Sequence, residues 1–78
     1  MTILIVDDEA HIRQMMRLTL EASGYTVEEA ATGEEGLARY ARDGIDVVVL
    51  DQKMPGIDGL ETLRRLNEDA PGARVLMV

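Results

Sequence analysis

Short apolar runs alternate with amphipathic stretches along the whole of this chain, and that alternation constrains the fold more than any other feature. Ile3-Leu4-Ile5-Val6 and Val47-Val48-Val49-Leu50 are continuous apolar runs. Runs of that length read as strands buried on both faces. The full order is strand, helix, strand, helix, strand, helix, strand. Residues 2–6 form the first strand and residues 9–22 a helix, with Ile12, Met15, Met16, Thr19 and Leu20 on its inner face. Arg13, Gln14, Arg17 and Glu21 fall on the solvent side, and Gly24 is placed to end the helix in a left-handed conformation.

Residues 25–30 read as a second strand, and Glu28 and Glu29 mark it as an edge strand. Thr32 and Glu35 have the spacing of a capping box. The helix they open runs to about Arg42, with Leu37, Tyr40 and Ala41 inside, and Gly44 ends it. Residues 46–51 form the third and most apolar strand, which is expected at the centre. After the loop Gln52-Lys53-Met54-Pro55-Gly56-Ile57, Asp58 and Glu61 make a second capping box. That helix reaches about Asp69, with Leu60, Leu63 and Leu66 buried, and residues 74–78 begin a fourth strand. Strands and helices alternating at this length imply right-handed crossovers and a parallel sheet covered on both faces.

Ligands of such folds bind beyond the carboxyl ends of the strands. The first strand ends in Asp7-Asp8 and the third in Asp51, so three carboxylates converge at one pole. Clustered like charges are costly, and a hard divalent cation is the obvious user. Magnesium commonly takes one or two carboxylates plus phosphate oxygens and keeps waters. One carboxylate could instead attack a phosphoryl group to give an acyl phosphate, with a metal neutralising charge on the transferring group. Asp51, on the central strand, is best placed to attack, which leaves Asp7 and Asp8 to hold the metal. The Lys53 carbonyl is a further hard ligand, and Pro55 and Gly56 impose a turn at the pocket's rim. Asp8 is also a candidate cap for the first helix. His11 is expected to face solvent, and Asp43 and Asp46 to lie in a solvated loop at the opposite pole.

Composition narrows the options. The 78 residues allow one small domain, with a core of Val, Ile, Leu, Met and Ala, since Phe and Trp are absent. Without cysteine there are neither disulfides nor thiolate metal sites. Fifteen acids against eight bases give a net charge of −7, which disfavours direct nucleic-acid binding. No run approaches the ~20 apolar residues of a membrane span, and the start lacks the pattern of a secretory signal. A cytoplasmic chain without membrane contact is the expectation.

The start Ile3-Leu4-Ile5-Val6-Asp7-Asp8-Glu9, the strand Val47-Val48-Val49-Leu50-Asp51 and the segment Met54-Pro55-Gly56-Ile57-Asp58-Gly59 together resemble the receiver domain of bacterial two-component response regulators. The resemblance covers residues 1–78 and implies a flavodoxin-like, three-layer αβα fold with strand order 2-1-3-4. It implies that Asp51 accepts a phosphoryl group from the phosphohistidine of a sensor histidine kinase. It assigns Asp7 and Asp8 to Mg²⁺, one of them often through water, and the Lys53 carbonyl to the same ion.

Receiver domains of this kind have five strands and five helices. The expectation is therefore an incomplete domain over residues 1–78, lacking the fifth strand and last helices. The hydroxyl residue of the family immediately after Val78 and the lysine at the end of the fifth strand would be missing with them. An exposed fourth strand is then a candidate edge for homodimerisation. A haloacid-dehalogenase-like phosphatase would also use a strand-end Asp and Mg²⁺, but it needs an acid where Lys53 stands. A non-enzymatic signalling module is the expectation, with a phosphorylation-incompetent interaction fragment as the alternative.

Overall fold

The computed structural model describes residues 1–54 and 56–78. Strand β1 spans Thr2–Val6, helix α1 Ala10–Ala22, strand β2 Thr26–Ala30, helix α2 Gly33–Arg42, strand β3 Val47–Leu50, helix α3 Gly59–Asp69 and strand β4 Val75–Met77. The four strands form one parallel sheet, as the alternation predicts, in the order β2-β1-β3-β4 that the resemblance implies.

Strand β1 is apolar on both sides because both sides are covered. Leu4 and Val6 join Val48, Leu50, Ile45, Met54 and Leu66 in one core, against which Leu37, Tyr40 and Leu63 of α2 and α3 pack. Ile3 and Ile5 join Val27 and Val49 on the other face, where Met16 and Leu20 of α1 pack. Burying a side chain such as Leu4 or Leu50 contributes about 1.5–3 kcal/mol, so these central positions hold the sheet together.

Thr32 Oγ1 accepts the Glu35 N–H at 3.1 Å, and Asp58 Oδ1 accepts the Glu61 N–H at 2.9 Å, so both predicted caps form. The Glu35 side chain reaches back to the Ala31 N–H at 3.3 Å. Glu61 does not reach back: it turns along its own helix to Arg64 and Arg65. Those two guanidiniums, Arg64 foremost, hold its carboxyl down to about 2. Gly24 and Gly44 both have positive φ, 93° and 60°, and end α1 and α2 as expected.

Several sequence expectations need correction. Helix α1 starts at Ala10, with Glu9 at its cap position and no side-chain cap bond, so Asp8 does not cap it. Of its expected inner face only Met16 and Leu20 pack against the core, while Ile12, Met15 and Thr19 are exposed. One helix resting on a flat sheet face buries a narrow stripe, not the whole apolar arc. Leu60 is 65% exposed, on the opposite side of the first turn of α3 from buried Gly59 and Thr62, and Ala41 is exposed as well. Thr62, unremarked in the sequence, is buried instead and donates its hydroxyl to the Asp58 carbonyl at 2.8 Å. Asp46 is exposed in the loop before β3, as expected, and its Oδ2 there accepts the Thr2 N–H at 2.7 Å, which pins the start of β1.

Candidate functional site

Register builds the acidic pole. Val6 pairs with both Ala30 and Leu50, so β1 and β3 end level and Asp7 and Asp51 emerge side by side. The Asp51 N–H donates to the Val6 carbonyl at 2.9 Å, and the Asp7 N–H to the Ala30 carbonyl at 3.1 Å. The sheet's hydrogen bonding therefore continues through both aspartates and fixes their backbones.

Asp7, Asp8 and Asp51 each place a carboxylate oxygen within 4.8 Å of the other two. Opposite ligands of one octahedral Mg²⁺ stand about 4.2 Å apart, given bonds of 2.0–2.1 Å. The three donors thus span little more than a single coordination shell, and an intervening water can close the remainder. All are hard oxygen donors, as such an ion requires.

The three acids differ in burial. Asp7 is 6% exposed, Asp51 half-buried and Asp8 exposed. Asp7 Oδ1 accepts the Glu9 N–H at 2.9 Å. No Lys or Arg side chain pairs with the Asp7 carboxylate among the described residues. A buried charge is costly unless it is paired or coordinates a metal. Asp51 Oδ1 accepts the Lys53 N–H at 3.2 Å, so Lys53 folds back over the aspartate while its side chain stays exposed.

The loop after Asp51 is held at two points. Met54 is buried in the core, and the Gly59 N–H donates to the Gln52 carbonyl at 3.1 Å. Gly56 has φ +79°, which suits the predicted turn; Pro55 lies outside the described residues. A Cβ on Gly59 would fall 2.3 Å from the Asp51 carbonyl oxygen and 2.6 Å from Gln52 Cα. His11 is exposed and does not belong to the three-acid cluster.

Periodicity places Arg13 on the solvent side, yet its side chain is only 16% exposed and reaches the end of β1. Its Nη1 donates to the Asp7 carbonyl at 2.6 Å and its Nε to Glu29 Oε1 at 3.0 Å. Arg17 also reaches Glu29, at 2.7 Å. Hydrogen bonding to Arg17, more than to Arg13, lowers the Glu29 carboxyl against its partial burial. The available signal was the pair of acids on β2: two Glu residues on an edge strand need bases, and the neighbouring helices supply them.

Residues 3–78 match the family described as response regulator receiver domain. The transcriptional regulatory protein ResD of Bacillus subtilis is 44% identical over 66 residues, which cover 85% of this chain and 28% of ResD. The response regulator TrrA of Thermotoga maritima, solved in complex with Mg²⁺-BeF, is 37% identical with a TM-score of 0.94. That alignment covers 97% of this chain and 66% of TrrA. A second structure holds TrrA in complex with the histidine kinase ThkA, with a TM-score of 0.92, 37% identity and the same coverage. The chain spans 28–34% of the length of curated relatives such as ResD and the response regulator MprA of Mycobacterium leprae.

Proposed function

The chain belongs to the response regulator receiver domain family, and from that premise we propose that it is a phospho-acceptor whose reactive group is the Asp51 carboxylate. The observation that carries this reading is the convergence of Asp7, Asp8 and Asp51 at the level ends of two paired strands. In the proposed step a carboxylate oxygen of Asp51 attacks the phosphorus of a phosphohistidine on a sensor histidine kinase. The O–P bond forms, the P–N bond breaks, and its electron pair leaves with the imidazole. The Lys53 N–H occupies Oδ1, so Oδ2 is the freer nucleophile. Asp7, Asp8, Asp51 and the Lys53 carbonyl are the proposed ligands of Mg²⁺, which when bound neutralises charge on the transferring phosphoryl group.

The TrrA structures support both the ion and the partner, since one contains Mg²⁺-BeF and the other a histidine kinase. Receiver domains are signalling modules, and Lys53 in place of an acid argues against phosphatase chemistry. A cytoplasmic site of action, with no direct nucleic-acid contact by this acidic segment, belongs to the same reading. Among the described residues no helix is long and apolar enough to cross a membrane.

Incubation with Mg²⁺ and a small phosphodonor, followed by mass measurement, tests the reading. One phosphoryl group is expected on the wild-type chain and none on Asp51→Ala. Modification that survives in Asp51→Ala removes Asp51 from the role.

A second reading, a phosphorylation-independent module that acts by self-association, is favoured by one observation. Strand β4 pairs only with β3 among the described strands, and Leu76 and Val78 are 60% and 57% exposed. Such an edge invites pairing with another copy. Sedimentation equilibrium of the 78-residue chain is expected to show dimers that Leu76→Lys reduces to monomers. A wild-type monomer at every concentration rejects this reading.

A further inference from the structure

We propose that Arg13 is a positioning residue for the metal site: it fixes the backbone of Asp7 so that the Asp7 carboxylate stays in register with Asp8 and Asp51. This rests on the proposed Mg²⁺ site and extends it to a residue outside the acids.

Asp7 is the last position before the chain leaves the sheet, and three bonds hold it there. Its N–H is bound by Ala30, its Oδ1 by the Glu9 N–H, and its carbonyl by Arg13. The first two come from neighbouring backbone and would hold any aspartate. The third is specific to this side chain, and at 2.6 Å it is a charge-assisted bond, of the stronger kind. It also spans six residues, tying the first turn of α1 to the end of β1.

Glu29 aims the guanidinium. It takes Nε at 3.0 Å, which leaves Nη1 directed at the carbonyl, and it offsets a positive charge that would otherwise oppose a cation nearby. The Arg13 side chain is only 16% exposed, so the fork is partly shielded from solvent. Arg17 shares the same Glu29 but, by contrast, has no bond to Asp7, and its side chain is 40% exposed. The pair thus offers an internal comparison: same helix, same acid, different reach.

The test is Mg²⁺ titration by calorimetry, with the amide spectrum recorded alongside. Removing an outer partner of a metal ligand typically costs tenfold or more in affinity, so Arg13→Met, which retains the stem but no donor, is expected to bind Mg²⁺ about tenfold more weakly. Arg13→Lys keeps the charge and one donor, and an intermediate loss of about three- to fivefold is expected. Arg17→Met is expected to stay within about twofold of wild type, because the Asp7 contact is intact. The Glu9 amide signal, which reports the bond to Asp7 Oδ1, should shift in Arg13→Met and not in Arg17→Met.

Equal weakening in Arg13→Met and Arg17→Met would assign the effect to helix docking and overturn the proposal. So would an Arg13→Lys no better than Arg13→Met, which would point to packing. If Arg13→Met does not fold, Arg13→Lys at wild-type affinity overturns it alone. Failure of the wild-type chain to bind Mg²⁺ would instead reject the metal site itself.

Discussion

Gly59 sets how closely helix α3 approaches the strand end that carries Asp51. A methyl group at Gly59 would meet two backbone atoms, the Asp51 oxygen and Gln52 Cα, and neither can swing aside as a side chain would. Gly59→Ala is therefore expected to push the loop off α3. Overpacking of this kind costs about 1–3 kcal/mol, read as a lower denaturant midpoint, and Mg²⁺ binding should weaken with it. Gly36 makes the useful contrast. Its added Cβ would lie 2.8 Å from a Val6 methyl, a core side chain that can give way, rather than against the backbone of an acid. Gly36→Ala should lower the midpoint without disturbing the site once folding is restored at low temperature. Equal Mg²⁺ affinity in the two variants would show that the Gly59 contact is merely structural. Sequence alone could place Gly59 beside a capping aspartate. It could not show that the missing side chain faces the backbone of Asp51, because that contact depends on where α3 crosses the sheet end.

At the level of elements, α1 is held by ion pairs as well as by packing. It buries only the stripe around Met16 and Leu20, and it ties to β2 through Arg13 and Arg17 on Glu29. The Glu29 carboxyl is lowered from its ordinary 4.5, chiefly by its hydrogen bond to Arg17. Because the folded value lies below the unfolded one, this stabilisation is complete above 4.5 and is lost as pH falls through the folded value. Glu29→Gln is expected to be less stable than wild type near neutral pH and to lose less on acidification. The gap should close as pH falls below about 4.5 and through the folded value, followed by urea midpoints. Parallel curves for the two chains would show that Glu29 contributes nothing to the acid limb. The helical period of α1 was legible, since Met16 and Leu20 do face the sheet. The depth of burial was not. Periodicity gives a direction, whereas burial depends on how many neighbours share the face, and here one helix stands alone. The same limit put Arg13 in solvent, because a long side chain can return to the sheet from a position whose Cα faces away.

Across the whole molecule, the two sheet faces and the two poles are unlike. One face carries α2 and α3 over the larger core, while the other leaves a groove of about 410 Å³ lined by Met15, Met16, Leu20, Val49, Leu76 and Val78. A parallel sheet and the shared pole of the acids were readable from alternation and strand ends, because parallel crossovers leave few topologies open, while the strand order is what the resemblance to receiver domains implies. The pole also sets a conflict between folding and function. Three carboxylates within 4.8 Å repel one another when no cation is present, and one of them, Asp7, is buried. Asp51→Asn removes one negative charge and retains an oxygen for the Lys53 N–H. Relief of functional strain of this sort typically returns about 0.5–2 kcal/mol, so the metal-free variant should unfold at a higher temperature than the metal-free wild type. Magnesium should reverse the order. A ligand at a hundred times its dissociation constant stabilises the folded state by about 2.7 kcal/mol. The wild type should gain this in full, and Asp51→Asn should gain much less. Asp43→Asn, at the opposite pole, should respond to magnesium as the wild type does. Thermal melts of the three chains over a Mg²⁺ series decide the matter. If Asp51→Asn responds to the ion as strongly as the wild type, the acids are not one site and their convergence has another cause.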